Sequence, residues 1–410
     1  VSRLHDLIAQ HCPKGVPFKA LGELGTFTRG RRFTKEDVVE DGLPSIHYGE
    51  IYTHYGTWAR SAVSHVRLDL RGQLRFASHG DVVFAGVGET VEEVAKAVAW
   101  LGSEDVAFHD DCFALRHAQN PKYLAYAMQA SDFHAQKNKY VARAKVKRIS
   151  GESLARIRIP VPPLPVQEEI ARVLDLFAEL EAELEAELEA RRGQYRYYRD
   201  SLLTFSDYAW GVRRIPMGEL LREPLVNGRS VPDGSGYPVL RLTALHGPVV
   251  DTSQRKLGAW DHEAGRRFRI EAGDLLVVRG NGSKNLIARA CMVDKTEDVA
   301  FPDTMIRVRP NLDIISQRYL FHIWESRATR NILEQRAKIT SGVWKVSQDD
   351  LCRVVLPVPS IEDQIRIVSV LDRFDALVSD LSVGLPAELR ARRQQYEYYR
   401  DKLLTFEEAA

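Results

Sequence analysis

A chain of 410 residues, 44% hydrophobic and 28% charged, is too long for one hydrophobic core and too apolar to be disordered. A lone small module and a fibrous or unfolded chain are both excluded. The formal charge of +1 conceals a segregation: residues 166–190 hold nine acids against Arg172 alone, which leaves the rest of the chain basic and points to a polyanionic partner.

No apolar run approaches the length of a membrane span, and Arg3, His5, Asp6 and Lys14 fall where a signal peptide would be apolar. The expectation is a soluble, cytoplasmic protein without a membrane partner. Cys12, Cys112, Cys291 and Cys352 are far apart and form no CxxC, so they read as reduced thiols rather than a disulfide framework or a zinc site.

In chain order, Leu43–Tyr48 reads as a strand, and Gly80-Asp81 as a turn feeding a short apolar strand. Pro121–Ala130 carries helical periodicity. Pro160, Pro162, Pro163 and Pro165 force an extended lead-in, and no proline follows until Pro216, so a long helix of roughly 60 Å is expected. Its apolar stripe runs through Ile170, Leu174, Phe177, Leu180, Leu184 and Leu188, then Tyr195, Tyr198, Leu202 and Phe205. Tyr237–Leu242, Gly273-Asp274 and Ser316–Trp324 repeat the earlier strand, turn and helix. A second long helix carries Ile367, Leu371 and Phe374, then Tyr396, Tyr399, Leu403 and Phe406, with Gly384-Leu385-Pro386 as an expected kink or break between them.

These elements form a tandem repeat. Pro160–Phe177 and Pro357–Phe374 agree at nine of eighteen positions; Arg191–Phe205 and Arg392–Phe406 agree at twelve of fifteen. Gly80-Asp81 answers Gly273-Asp274, and Ala107-Phe108 answers Ala300-Phe301, at one common offset. The order is variable domain (1–158), shared helical region (159–208), variable domain (209–356), shared helical region (357–410). The fold class is α+β: two strand-rich mixed domains alternate with two long helices. A rod with an apolar seam needs a cover, so the helices are expected to pair as an antiparallel coiled coil with pseudo-twofold symmetry.

Catalytic signatures are absent: no GxxxxGK[ST], GxSxG or HExxH, and no Asn/Asp-Pro-Pro-aromatic run. Gly280–Lys284 lacks the ending of a phosphate loop. His109-Asp110-Asp111-Cys112 has only an Asp in common with its repeat, so a strand-entrance role is favoured over a metal site. Basic groups among aromatics are the stronger signal. Arg29, Arg31, Arg32 and Lys35 flank Phe33; Lys137 to Arg148 contains six cations and no acid; Arg279 and Lys284 bracket a Gly-rich turn; Lys338 and Lys345 surround Thr340–Trp344. Such groups neutralise phosphates and release counterions.

The paired QYxYYRDxLLTF blocks, with PVP…Q…I…VLD upstream, resemble the specificity subunit of type I restriction-modification systems over the whole chain. The resemblance implies a subunit with no active site and no bound metal or cofactor. Each variable domain would be a target recognition domain reading one half of a split double-stranded DNA target. The helices would dock two modification subunits, which carry S-adenosylmethionine and flip the adenine they methylate. A restriction subunit, using ATP and Mg, would join them. DNA contacts are expected from Arg29, Arg31, Arg32, Tyr48, Lys145, Lys147 and Arg148 in the first domain. In the second they are expected from Arg241, Thr243, Arg279, Asn281, Lys284, Thr340, Ser341, Trp344 and Lys345. Partner docking is expected from Gln167, Ile170, Leu174, Tyr195, Tyr198, Leu202 and Phe205, and from Gln364, Ile367, Leu371, Tyr396, Tyr399, Leu403 and Phe406. The rival readings are a hidden enzyme and a protein-binding scaffold.

Overall fold

The structure, a computed structural model, describes residues 2–142, 146–206, 211–340, 342–379 and 385–409. Lys145 and Ser341, both expected at DNA, lie outside the described residues, as does Gly384. The chain folds into two compact units that cut across its four sequence segments: Val1–Glu185 with Leu389–Ala410, and Ala186–Glu388.

In the first unit one sheet orders its strands Gly25–Arg29, Cys112–His117, Val82–Ala85, Ala97–Trp100, Trp58–Ala59. A second sheet orders them Val38–Val39, Ser64–Val66, Leu43–Ile46, Val106–Phe108, Phe76–Ala77. The second unit repeats the plan with Val226–Asn227, Met305–Val308, Leu275–Val278 and Ala290–Met292, and with Arg255–Gly258, Asp233–Leu240, Glu297–Ala300 and Arg269–Ile270.

The repeated Gly-Asp turn explains how each central strand begins. Gly80 and Gly273 sit at φ +91° and +95°, the left-handed region a Cβ resists. Asp81 then accepts the Ser78 amide at 2.8 Å, and Asp274 the Glu271 amide at 2.9 Å, closing each turn. The runs that follow, VVFA and LLVV, are buried on both faces, as continuous apolar stretches require.

Leu164–Leu202 is one unbroken helix; the second region is described as helices Ile361–Ser379 and Leu385–Leu404, with Pro386 in the first turn of the latter. Inside the first unit, Phe177 stacks on Tyr399 with ring centroids 5.6 Å apart, and Arg393 bonds Glu181 at 2.7 Å and also Glu185. The partners descend in number as the helix ascends, so the pairing is antiparallel. In the second unit Tyr198 stacks on Phe374 at 5.4 Å, the same contact from the other repeat. Each unit thus joins the start of one shared helical region to the end of the other.

Most of the repeated motif residues pack inside these units, while Tyr198 keeps 39% of its surface exposed. Gln167 and Gln364 are fully buried. Gln167 accepts the Asn120 amide at 3.0 Å and donates to Pro162 O at 2.7 Å; Gln364 accepts the Ser316 amide at 2.9 Å and donates to Pro359 O at 3.0 Å. Ile170, Leu174 and Leu371 have no exposed surface, and Ile367, Leu202, Tyr195, Tyr396, Leu403 and Phe406 pack against the same cores. Phe205 is half-buried.

Asp175 accepts from Lys122 Nζ (2.6 Å), Tyr126 Oη (2.8 Å) and Trp58 Nε1 (3.0 Å); Asp372 faces Arg318 (2.8 Å) and His322 (3.2 Å). The Asp of each YYRD block caps a domain helix, Asp401 at Ser131 and Asp200 at the Arg327 amide. A periodic stripe reveals that a surface is apolar, not which neighbour covers it. Asp175→Ala strands three donors in a partly buried site, so a loss of about 2–3 kcal/mol in urea unfolding is expected.

Beside this clamp, burial, followed by the Lys137 and Arg400 charges, pushes the His134 imidazole down to about 4 from its usual 6.5. The unfolded chain therefore binds a proton below 6.5 that the folded unit refuses. Stability is complete above pH 6.5 and falls as pH drops toward 4. Thermal midpoints between pH 7 and 4.5 measure this, and His134→Gln should flatten the fall.

Candidate nucleic-acid interface

In the first unit five of the expected residues fall around one surface. Strand Gly25–Arg29 ends at Gly30, where a Cβ would stand 2.0 Å from the His109 carbonyl oxygen, so only glycine lets the chain turn there. Arg31 follows, its amide bonded to Phe108 O at 3.1 Å and its side chain exposed. A cleft of about 1000 Å³ opens beside it, lined by Arg29, Arg32, Lys35, His47, Tyr48 and Arg148 among others. Phe33, His47, Tyr48 and His109 form its aromatic wall, with His47 4.2 Å from Tyr48 and 4.6 Å from His109 between centroids. Burial, then the neighbouring His109, holds the His47 imidazole below its usual pKa.

Arg29 Nε is anchored on Asp110 O at 2.7 Å while its guanidinium lies 3.7 Å from the Asp110 carboxylate; Arg148 lies 3.6 Å from Asp111. Exposed pairs of this kind are worth little on their own. Each arginine can exchange its carboxylate for a phosphate at small cost. His109, Asp110 and Asp111 bring ligand atoms within 4.8 Å of one another, but both carboxylates already face these arginines, which a cation would have to displace. Lys147 pairs with Gly88 in the short ladder beside the cleft.

In the second unit the expected residues gather on a three-stranded ribbon: Gly280–Asn281, Val343–Lys345 and Lys338–Thr340. Asn281 lies opposite Trp344, and Thr340 opposite Val343. The Lys284 ammonium stands 4.9 Å over the Trp344 ring, and Lys345 is exposed. Two of these half-buried side chains also bond the backbone around them. Arg279 donates to Asp303 O at 3.0 Å, and Asn281 accepts the Ser283 amide at 2.9 Å, shaping the turn. Arg241 and Thr243 belong to the other sheet, at the turn Leu242–Leu245, where Thr243 Oγ1 meets Gln254 at 3.4 Å. Arg241 occupies the N-cap position of its turn without a side-chain capping bond, at the station where the His47 ring accepts the Gly49 amide and caps the helix Tyr48–Thr53.

The structure adds one residue that sequence comparison missed. Gly228 has Pro302 O 2.1 Å from where its Cβ would be, and the Arg229 amide bonds Phe301 O at 3.3 Å. Gly228-Arg229 therefore repeats Gly30-Arg31 in geometry. Insertions between the two shift it off the common offset, which hid it. Gly30→Ala is expected to misfold this turn and cost more than about 2 kcal/mol in urea unfolding, because backbone blocks the new methyl.

Two like-built units, each turning an exposed arginine, Arg31 or Arg229, out of an equivalent Gly-Arg turn, present the candidate surfaces, and the comparisons give the class. The type I restriction modification DNA specificity domain matches residues 13–190 and 234–391, and the chain belongs to that family, whose members are DNA-recognition subunits rather than enzymes.

Among curated relatives it is similar to the type I restriction enzyme EcoR124I/EcoR124II specificity subunit of Escherichia coli, 32% identical over 278 residues. That match covers 63% of this chain and 65% of the relative, so it spans just under two thirds of that protein's length. The EcoKI specificity subunit of E. coli strain K12 is 24% identical over 389 residues, covering 89% of this chain and 83% of the relative. A solved chain described under complex assembly and conformational transition of the type I R-M system shares the fold, with a TM-score of 0.61 at 18% identity, over 96% of this chain and 98% of that one. Among the described residues no helix is long and apolar enough to cross a membrane.

Proposed function

We propose that this chain recognises a split, asymmetric double-stranded DNA target, each unit reading one half-site, and holds two adenine-methylating modification subunits and, through them, a restriction subunit. One observation carries the reading: the two units share their scaffold station by station yet differ at matched positions, His47-Tyr48 against Arg241-Leu242 and Lys147-Arg148 against Trp344-Lys345. Like scaffolds with unlike faces read unlike half-sites on similarly shaped DNA. S-adenosylmethionine, ATP and Mg then belong to the other subunits, and this chain contributes only position.

Docking falls to what the helices leave exposed. Tyr197 and Tyr398 occupy the same repeat station and are 70% and 61% exposed, each edge-on to the tyrosine that follows. Large aromatics with most of their surface in water are typical interface anchors. Tyr197→Ala and Tyr398→Ala should each weaken assembly with the modification subunit by about 2 kcal/mol while leaving thermal stability unchanged. Titration calorimetry of the purified subunits measures the first quantity, and a melting scan the second. The reconstituted complex should bind duplex DNA with strong salt dependence; salt-independent binding, or none, would instead favour the scaffold reading.

A further inference from the structure

The ribbon of the second unit carries an apolar side chain among charges. Ile339 lies directly opposite Trp344, which lies opposite Asn281, so the three share one face across three strands. Ile339 occupies the edge strand and is 60% exposed, although edge strands usually carry charge and a β-branched apolar residue gains nothing in water. Neither 279–293 nor 335–348 contains an acid; Lys284 stands over Trp344 on this face, while Lys338 and Lys345, paired with each other, project from the opposite face. Such a surface suits a polyanion that offers an apolar spot.

We propose that Ile339 is a specificity residue that contacts the C5-methyl of a thymine in the major groove of the half-site bound by this unit. This rests on the DNA-reading function above. The strands Lys338–Thr340 and Val343–Lys345 form a two-stranded edge of this ribbon, a shape that fits the major groove, and the thymine methyl is the one apolar feature a base edge presents there. Trp344, with the Lys284 ammonium over its ring, buttresses Ile339 from the neighbouring strand. Lys284, beside this face, is the cation placed to hold the ribbon to a neighbouring phosphate. Asn281, on the same face, presents a polar amide whose oxygen accepts from the Ser283 amide, and so offers no apolar contact.

The test uses the full chain assembled with its modification subunits and duplexes bearing the mapped target, in which each thymine of the two half-sites is replaced in turn by deoxyuridine, which lacks only the methyl. For the unaltered complex one replacement, confined to one half-site, should weaken binding by about three- to fivefold, the value of one buried methyl. Ile339→Ala should show the same loss on the natural duplex and be indifferent to that replacement, with an unchanged melting temperature. If no replacement distinguishes the two proteins while both still prefer the target, the methyl contact is wrong and the DNA-reading function stands. If Ile339→Ala weakens binding but deoxyuridine does not, Ile339 acts as a wedge or protein contact, and the proposal is overturned. Absence of any sequence preference in the unaltered complex would sink the DNA-reading function, and the proposal with it.

Discussion

Asp274→Ala is expected to lower the unfolding free energy by about 3 kcal/mol, whereas the same change at the repeat position, Asp81→Ala, should cost about 1 kcal/mol. The difference lies in the arginine each carboxylate holds. Asp274 is 1% exposed and grips Arg309, itself buried, through Nε at 2.7 Å and Nη2 at 2.9 Å. Removing it leaves a guanidinium inside the protein with only Glu223 at 3.2 Å and Glu271 at 3.3 Å as countercharges. Asp81 holds Arg116 by the same two nitrogens, at 3.2 and 2.9 Å, but that guanidinium is largely exposed and turns to water when released. Urea unfolding followed by circular dichroism measures both; equal losses would show that the two turns are not differentiated by burial.

The second large effect is functional. Replacing Arg31 and Arg229 together with alanine should reduce affinity for every duplex alike, by about thirtyfold at moderate salt, and lower the slope of log affinity against log salt by about 1.8. Both side chains are exposed and both turns are fixed by a backbone bond to the equivalent phenylalanine carbonyl, so neither change disturbs a core. A loss confined to the cognate sequence would mean these arginines read bases rather than phosphates.

Much of this was legible in the sequence for a physical reason. Repetition exposes what is shared, so the strand after each Gly-Asp turn, the long helix after the prolines and the alternation of variable and shared segments could all be read from spacing. Apolar periodicity does not say what covers a stripe. Ile170, Leu174 and Leu371 therefore looked like a surface for other subunits and instead anchor the helices to their own domains, while Tyr197 and Tyr398, off the stripe, were overlooked. The exchange of helix halves between units depends on tertiary pairing such as Phe177 with Tyr399, which no local pattern encodes. At the candidate interface, charge clustering carries no information on individual side chains: it does not reveal that Arg279 and Asn281 bond within their own turn, and uncharged Ile339 is visible only through its exposure.

The central claim is that two unlike units read two half-sites of one DNA target. Mapping adenine methylation across the host genome by single-molecule sequencing, with this gene intact and deleted while the modification subunit is expressed, tests it most directly. Deletion should remove a single split motif with a fixed gap, methylated on both strands and different in sequence on its two sides. An unchanged methylome, or loss of a continuous motif, would contradict it.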